Sequence, residues 1–368
     1  MAKRLPVTVI TGFLGAGKTT VLRHLLTRGG QRLAVMVNEF GSVGLDGDLI
    51  RSCGFCPEEE VDGRLVELNN GCLCCTVQDD FLPTMETLLE RADQLDGIVV
   101  ETSGLALPRP LLQALDWPAI RSRVHVNGVV TLVDGEALAA GSPVADAEAL
   151  ERQRAEDPSL DHLTAIDDLF EDQLQAADLV LISRADCLDA SAMAEVQGRI
   201  KDKLRPGTAL LPVSQGQVET SVVLGLEHKP TPQAHTHHDH DHHDHDHHDH
   251  SHVDMVGSNV RVEGAFDRQA LEQLLPSLVS NHQVVRLKGR VWLPSKTLPL
   301  QIQMVGPRLN SWFEAAPSHA WRPDQGCGAD LVVLALNEAA APALESGLQR
   351  LVQATPAKAS PAAATPES

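Results

Sequence analysis

The sequence predicts an α/β protein, with a mostly parallel sheet flanked by helices and then a small C-terminal α+β domain. Three observations point there. Short apolar runs rich in Val, Ile and Leu alternate with segments of helical period over residues 1–225. The first run, Val7-Thr8-Val9-Ile10, leads through Thr11 into Gly12-Phe-Leu-Gly-Ala-Gly-Lys-Thr19 and then a helix beginning Val21-Leu22-Arg23. After a change of composition at residues 226–257, shorter alternating strands and two helices resume over 258–354.

The G-x-x-x-x-G-K-T stretch, with a strand before it and a helix after it, is a P-loop in its required setting, so the fold is that of a P-loop NTPase. Gly12, Gly15 and Gly17 let successive backbone N–H groups turn toward one anion, and the helix N-terminus adds partial positive charge. Gly12, Gly15, Ala16, Gly17, Lys18, Thr19 and Thr20 are therefore candidate nucleotide contacts. Lys18 is placed to reach the β- and γ-phosphates as a catalytic group, and the Thr19 hydroxyl to ligate Mg²⁺.

A second strand, Arg32–Val37, runs into Asn38-Glu39-Phe40-Gly41 and Asp46. Ligands of open parallel sheets bind at the C-terminal strand ends. Glu39 and Asp46 are accordingly candidates to hold metal or to position water; solvated loop carboxylates are the plain alternative. Gly71-Cys72-Leu73-Cys74-Cys75 then places three thiols within four residues. Clustered thiolates repel unless a cation lies between them, and soft sulfur favours Zn²⁺, Co²⁺ or Cu⁺ over Mg²⁺. Three thiols leave a tetrahedral site open, which suits a metal that must leave; a redox dithiol or an inert cluster is the alternative. Cys53 and Cys56 form a second, weaker thiol pair.

A helix at Phe81–Arg91, with Leu82, Met85, Leu88 and Leu89 on one face, precedes the strand Gly97–Val100, which closes in Glu101-Thr102-Ser103-Gly104. An acidic residue at a strand end, with Gly three later, is how P-loop proteins hold Mg²⁺ and sense the γ-phosphate. Glu101 is the candidate Mg²⁺ and catalytic residue, and Gly104 the pivot. A strand follows at Gly128–Asp134, then a polar, partly helical stretch at 137–165 in which His162 reads as a solvated face. A helix at Leu163–Ala177 leads to a strand at Asp178–Ile182, and Leu210–Ser214 is the last strand of this domain. Ser183-Arg184-Ala185-Asp186 stands where N-K-x-D reads guanine in P-loop GTPases. Asp186 is in place to accept from the base, Arg184 to lay its stem on it, and Ser183 is shorter than Asn; GTP is the expected nucleotide, with ATP left open by this motif.

Between His235 and His252 lie eleven of the chain's 17 histidines: His235, His237, His238, His240, His242, His243, His245, His247, His248, His250 and His252. They alternate with aspartates, and no apolar residue interrupts them, so no core can form there. Such a tract captures borderline metals and raises their local concentration near the thiols; a plain linker is the alternative. The second domain should hold strands at Val260–Phe266, Val284–Trp292, Leu300–Val305 and Leu331–Leu336, with helices from an Asp267 cap to Val279 and at Glu338–Gln353. Residues 355–368, rich in Ala, Pro and Ser, are expected to be disordered.

The net charge of −20 argues against a nucleic-acid partner. No apolar run is long enough for a membrane span. The first strand begins too early for a signal peptide, so a cytoplasmic protein with reduced thiols is expected.

Together, the P-loop, Asn38-Glu-Phe-Gly41, Gly71-Cys-Leu-Cys-Cys75, Glu101-Thr-Ser-Gly104, the histidine tract and the small second domain resemble the CobW-type P-loop GTPases, a family of metallochaperones. The resemblance spans about residues 5 to 354. Cys53-Gly-Phe-Cys56 and Ala106–Leu112 look more like its cobalamin-biosynthesis members than its zinc-delivery members. The resemblance implies a slow GTPase that binds Co²⁺ or Zn²⁺ at the thiols with Mg·GTP bound and releases it to a client on hydrolysis. The client would be a metalloprotein or the cobalt-insertion machinery, and a homodimer dependent on nucleotide or metal fits the same scheme. A zinc chaperone, a histidine-rich buffering protein and an ATP-driven thiol redox enzyme are the competing readings.

Overall fold

The computed structural model describes residues 4–28, 30–38, 66–67, 73–76, 81–102, 104–156, 165–225, 255–318 and 320–354. Glu39, Asp46, Cys53, Cys56, Cys72, Ser103, His162, the histidine tract and residues 355–368 lie outside them. The described residues form two compact units. One comprises those up to 225 with Val305–Arg308; the other comprises 255–304 and 309–354.

The first unit is built on an eight-stranded sheet. Its strands are β1 (Leu5–Thr11), β2 (Leu33–Asn38), β3 (Val66–Glu67), β4 (Leu73–Thr76), β5 (Gly97–Thr102), β6 (Val124–Asp134), β7 (Leu179–Ser183) and β8 (Ala209–Pro212). Their spatial order is β3-β4-β2-β5-β1-β6-β7-β8. Every neighbouring pair in it is parallel except β3 with β4. The connecting helices are α1 (Lys18–Arg28), α2 (Phe81–Glu90), α3 (Pro108–Leu115), α4 (Gly135–Ala139), α5 (Ala147–Glu156), α6 (Ile166–Ala176), α7 (Ala190–Lys201) and α8 (Thr220–Leu224). β1, β5 and β7 are buried along their whole length, as strands covered on both faces must be, and this is why they read as continuous apolar runs. Met85, Leu88 and Leu89 of α2 pack with Val7, Val9, Ala34 and Val100 in one core cluster, while Leu169, Phe170 and Leu174 of α6 pack with Val180, Ile182 and Val196 in another.

Two elements differ from those expected. β6 begins at Val124 rather than Gly128, because the polar Asn127 is satisfied inside the protein. Its amide donates to Thr8 Oγ1 at 2.8 Å and to the Leu224 carbonyl at 3.0 Å, where the β1–β6 register shifts. α6 begins at Ile166, with Ala165 as its cap residue, three residues later than the expected start. α3 is opened by Pro108, whose missing N–H costs nothing in the first turn.

The second unit has a five-stranded sheet of β9 (Val256–Glu263), β10 (Val284–Trp292), β11 (Leu300–Val305), β12 (Arg308–Phe313) and β13 (Gly328–Ala335), in the order β12-β11-β10-β13-β9. β13 pairs antiparallel with both β10 and β9. The helices are α9 (Arg268–Asn281), capped by the Asp267 carboxylate on Ala270 N, and α10 (Ala340–Ala354). Leu271, Leu275, Leu278 and Val279 recur on one face of α9 and are buried in the core with Leu344 and Leu348 of α10. Gly347 is required by that packing: a Cβ there would stand 2.8 Å from Leu278 Cδ1. β12 was absent from the sequence expectations; its six residues are all half-buried, so it lacks an alternating signal.

Candidate functional site

β1 delivers its chain at Thr11 into the turn at Gly12. Gly12 has φ +139°, and a Cβ there would lie 2.3 Å from the Leu132 carbonyl oxygen, so only glycine fits against β6. Gly15 and Gly17 also take positive φ. Ala16 is buried, its N–H bonded to the Phe13 carbonyl at 3.1 Å, while Thr19 and Thr20 are exposed. Lys18 opens α1 and is buried; its ammonium donates to the Gly12 carbonyl at 2.8 Å and the Phe13 carbonyl at 3.1 Å. The cation thus sits inside the loop curl, where phosphate oxygens would join its donors.

Glu101 reaches the same place from β5, which lies beside β1 with Ile10 opposite Glu101. The Thr19 hydroxyl lies 3.4 Å from Glu101 Oε1, so two hard oxygen donors meet at the mouth of the loop. Oxygen donors of this kind suit Mg²⁺. Thr102 Oγ1 donates to Thr11 Oγ1 at 2.9 Å, which ties the two strand ends together. Gly104 follows directly against the loop: a Cβ there would stand 2.7 Å from Leu14 N. The expected pivot is therefore in backbone contact with the P-loop.

The opposite flank is made by the end of β7. Ser183 is buried, its hydroxyl donating to the Val133 carbonyl at 3.2 Å, and it is the nearest neighbour that a Cβ on Gly17 would meet, at 3.6 Å. Arg184 is left-handed, with φ 54°. Its guanidinium lies 3.0 Å from Asp134 Oδ2 and 3.3 Å from Glu136 Oε2, so its head is held to the end of β6 and the start of α4 while Asp186 stands exposed in the 3-10 turn that follows Arg184. The sequence reading missed Asp134, Glu136 and the Ser214–Gly216 turn after β8. In that turn Gln215 and Gly216 both have positive φ, and a Cβ on Gly216 would stand 2.9 Å from the Thr20 carbonyl oxygen. A Ser-Gln-Gly turn at the end of a parallel strand was the available signal.

Of the thiol motif, Cys74 and Cys75 lie on β4. In Cα register, Cys75 is level with Met36 of β2, which is level with Val100 of β5; Thr76, Val37 and Glu101 form the next row. One strand separates the cysteine strand from Glu101. At the usual strand spacing this is about 10 Å of continuous sheet. Cys187 is exposed and Cys327 partly so; burial pushes the Cys327 thiol above its ordinary value, away from the thiolate a metal needs.

Comparison with known proteins gives the following. The family described as "CobW/HypB/UreG, nucleotide-binding domain" matches residues 6–212, and "Cobalamin synthesis protein cobW C-terminal domain" matches residues 255–352. A Pseudomonas aeruginosa protein named "Zinc chaperone CobW" is 46% identical over 339 residues, covering 90% of this chain and 87% of its own. A protein of the same name from Sinorhizobium sp is 40% identical over 355 residues, covering 95% of this chain and 98% of its own. The "Zinc-regulated GTPase metalloprotein activator 1" of Schizosaccharomyces pombe is 44% identical over 134 residues, which is 35% of this chain and 32% of that protein.

Proposed function

The chain belongs to the CobW/HypB/UreG family, and from that premise we propose that it is a GTP-dependent metallochaperone whose cargo is zinc. The observation that carries the reading is the shared sheet. The strand bearing Cys74 and Cys75 pairs with β2, and β2 pairs with the strand bearing Glu101. A change at the γ-phosphate reaches the thiols through one intervening strand, by the same kind of device that orders and releases the switch loops of GTPases.

In this reading Lys18 and the backbone N–H groups of Gly15, Gly17 and Thr19 bind the phosphates, and Thr19 and Glu101 hold Mg²⁺. The Mg²⁺ ion, when bound, neutralises charge on the phosphates. Asp186 accepts from the guanine edge, and Arg184, pinned by Asp134 and Glu136, walls the base site. Glu39 positions water, Asp46 adds a carboxylate near the metal, and Cys72, Cys74 and Cys75 hold the cargo. The histidines of 235–252 gather metal ahead of transfer to a client metalloprotein. Zinc is favoured because thiolates bind it more tightly than cobalt, and because the relatives that cover most of the chain are named for it. Cobalt delivery to corrin synthesis is the second reading, favoured by the description of the family matching residues 255–352.

The test is zinc affinity of the full chain with Mg·GTP, beside Cys74→Ala and Cys75→Ala. Each substitution should weaken the nucleotide-dependent zinc site at least tenfold while leaving GTP affinity within twofold. Unchanged zinc affinity in both variants would refute the assignment. Competition between Zn²⁺ and Co²⁺ at buffered free concentrations then decides the cargo.

A further inference from the structure

We propose that Gln173 is a positioning residue for γ-phosphate recognition, holding the segment after Glu101 against the P-loop; the inference rests on the nucleotide reading above. Gln173 lies on α6 and is 1% exposed. Its amide nitrogen donates to the Gly104 carbonyl at 3.0 Å and approaches the Ala106 carbonyl at 3.4 Å. Two carbonyls on one atom identify that atom as the nitrogen. The other amide atom, Oε1, is buried without a hydrogen-bond partner. A buried amide left half-satisfied is costly, and an apolar residue would fill the same space without that cost. Packing alone therefore does not account for Gln at this position. What it supplies is a donor to the backbone at Gly104.

That backbone is the part of the chain in contact with the loop, since a Cβ on Gly104 would stand 2.7 Å from Leu14 N. The same helix grips the loop itself: Phe170, one turn before Gln173, stacks on Phe13 with ring centroids 5.9 Å apart. Residues three apart share a helix face. α6 is thus a common platform, with Phe170 fixing the P-loop and Gln173 fixing Gly104. The helix is anchored in turn, because the Gln173 carbonyl accepts from Thr131 Oγ1 of β6 at 3.3 Å. A nucleotide with a γ-phosphate would meet Gly104 already in place, whereas a diphosphate does not extend that far. Gln173 should therefore act on the triphosphate and not on the diphosphate.

The experiment measures affinities of the full chain for a non-hydrolysable GTP analogue and for GDP, both with Mg²⁺. Gln173→Met keeps length and removes the donor; Gln173→Glu keeps the shape and turns a carboxylate on the two carbonyls, covering the case in which the first variant does not fold. Either should weaken the GTP analogue about tenfold, the value of one hydrogen bond, with GDP changed less than twofold. Leu174→Ala, the buried neighbour, should lower stability and leave the ratio of the two affinities unchanged. Equal weakening of both nucleotides, or no change in either, would overturn the inference. A wild-type chain that bound neither nucleotide would overturn the proposed function and this inference together; one that bound both, with an unaltered ratio in the variants, would overturn this inference alone.

Discussion

The first unit buries Lys18, Glu101, Asp134, Gln173 and Ser183 around the ends of its parallel strands; among the described residues, the second buries Arg286 and Gln303 as its polar contribution to an otherwise apolar interior. Both have well-packed aliphatic cores. The difference lies in what the polar groups face. In the first unit several of them converge on one loop mouth, with Lys18 on the Gly12 and Phe13 carbonyls, Glu101 beside the Thr19 hydroxyl, and Gln173 on Gly104, while others such as Asp96, His125 and Asp178 lie at the opposite strand ends. Buried polar groups cost stability unless paired, and those gathered at the loop mouth mark where chemistry is placed. The second unit, by this measure, is built for packing.

That contrast can be broken most strongly from the second unit. Leu275→Ala empties a fully buried site on α9 and should cost about 3 kcal/mol of that unit's stability, read by chemical denaturation, while nucleotide affinity stays within twofold. A large loss of nucleotide affinity would mean that the division of labour is wrong. Lys18→Ala should do the reverse. It removes a charged donor from the loop and should weaken GTP binding about 100-fold by titration calorimetry, with little change in the second unit's unfolding. The smallest effect is electrostatic. Burial raises the Glu272 carboxyl, but hydrogen bonds from Ser311 and Arg268 outweigh it and hold the group below its ordinary value of 4.5. A lowered folded-state pKa adds stability that is present above 4.5 and lost as pH falls through the folded value. Glu272→Gln should therefore be less stable than wild type at neutral pH, with the gap closing in acid; a gap independent of pH would remove the ionic explanation.

The sequence made the loop and its strand legible because both follow local rules. Apolar runs mark strands covered on both faces, and Gly-Lys-Thr at fixed spacing marks a phosphate cradle. Glu101 was legible for the same reason, as an acidic residue closing such a run. What escaped depends on pairing across distance. Nothing near Arg184 in sequence says that its head will meet Asp134 at the end of β6 and Glu136 at the start of α4. Asn127 resembles a strand break until Thr8 and Leu224 satisfy it. Gln173 is one polar residue on an amphipathic helix, and its partner at Gly104 lies 69 residues away. Cys74 and Cys75 read locally as ligands, and nothing near them shows that their backbone forms a strand of the same sheet as Glu101.

The most direct measurement is zinc affinity of the full-length chain, with the histidines of 235–252 replaced by serine, in Mg²⁺ with a non-hydrolysable GTP analogue and in Mg²⁺ with GDP. Coupling between the phosphate and the thiol strand predicts zinc bound at least tenfold more tightly with the GTP analogue, a factor within the usual allosteric coupling range of about 1–3 kcal/mol. Equal affinity in the two states would contradict it, leaving the nucleotide site and the thiols as neighbours on one sheet without exchange between them.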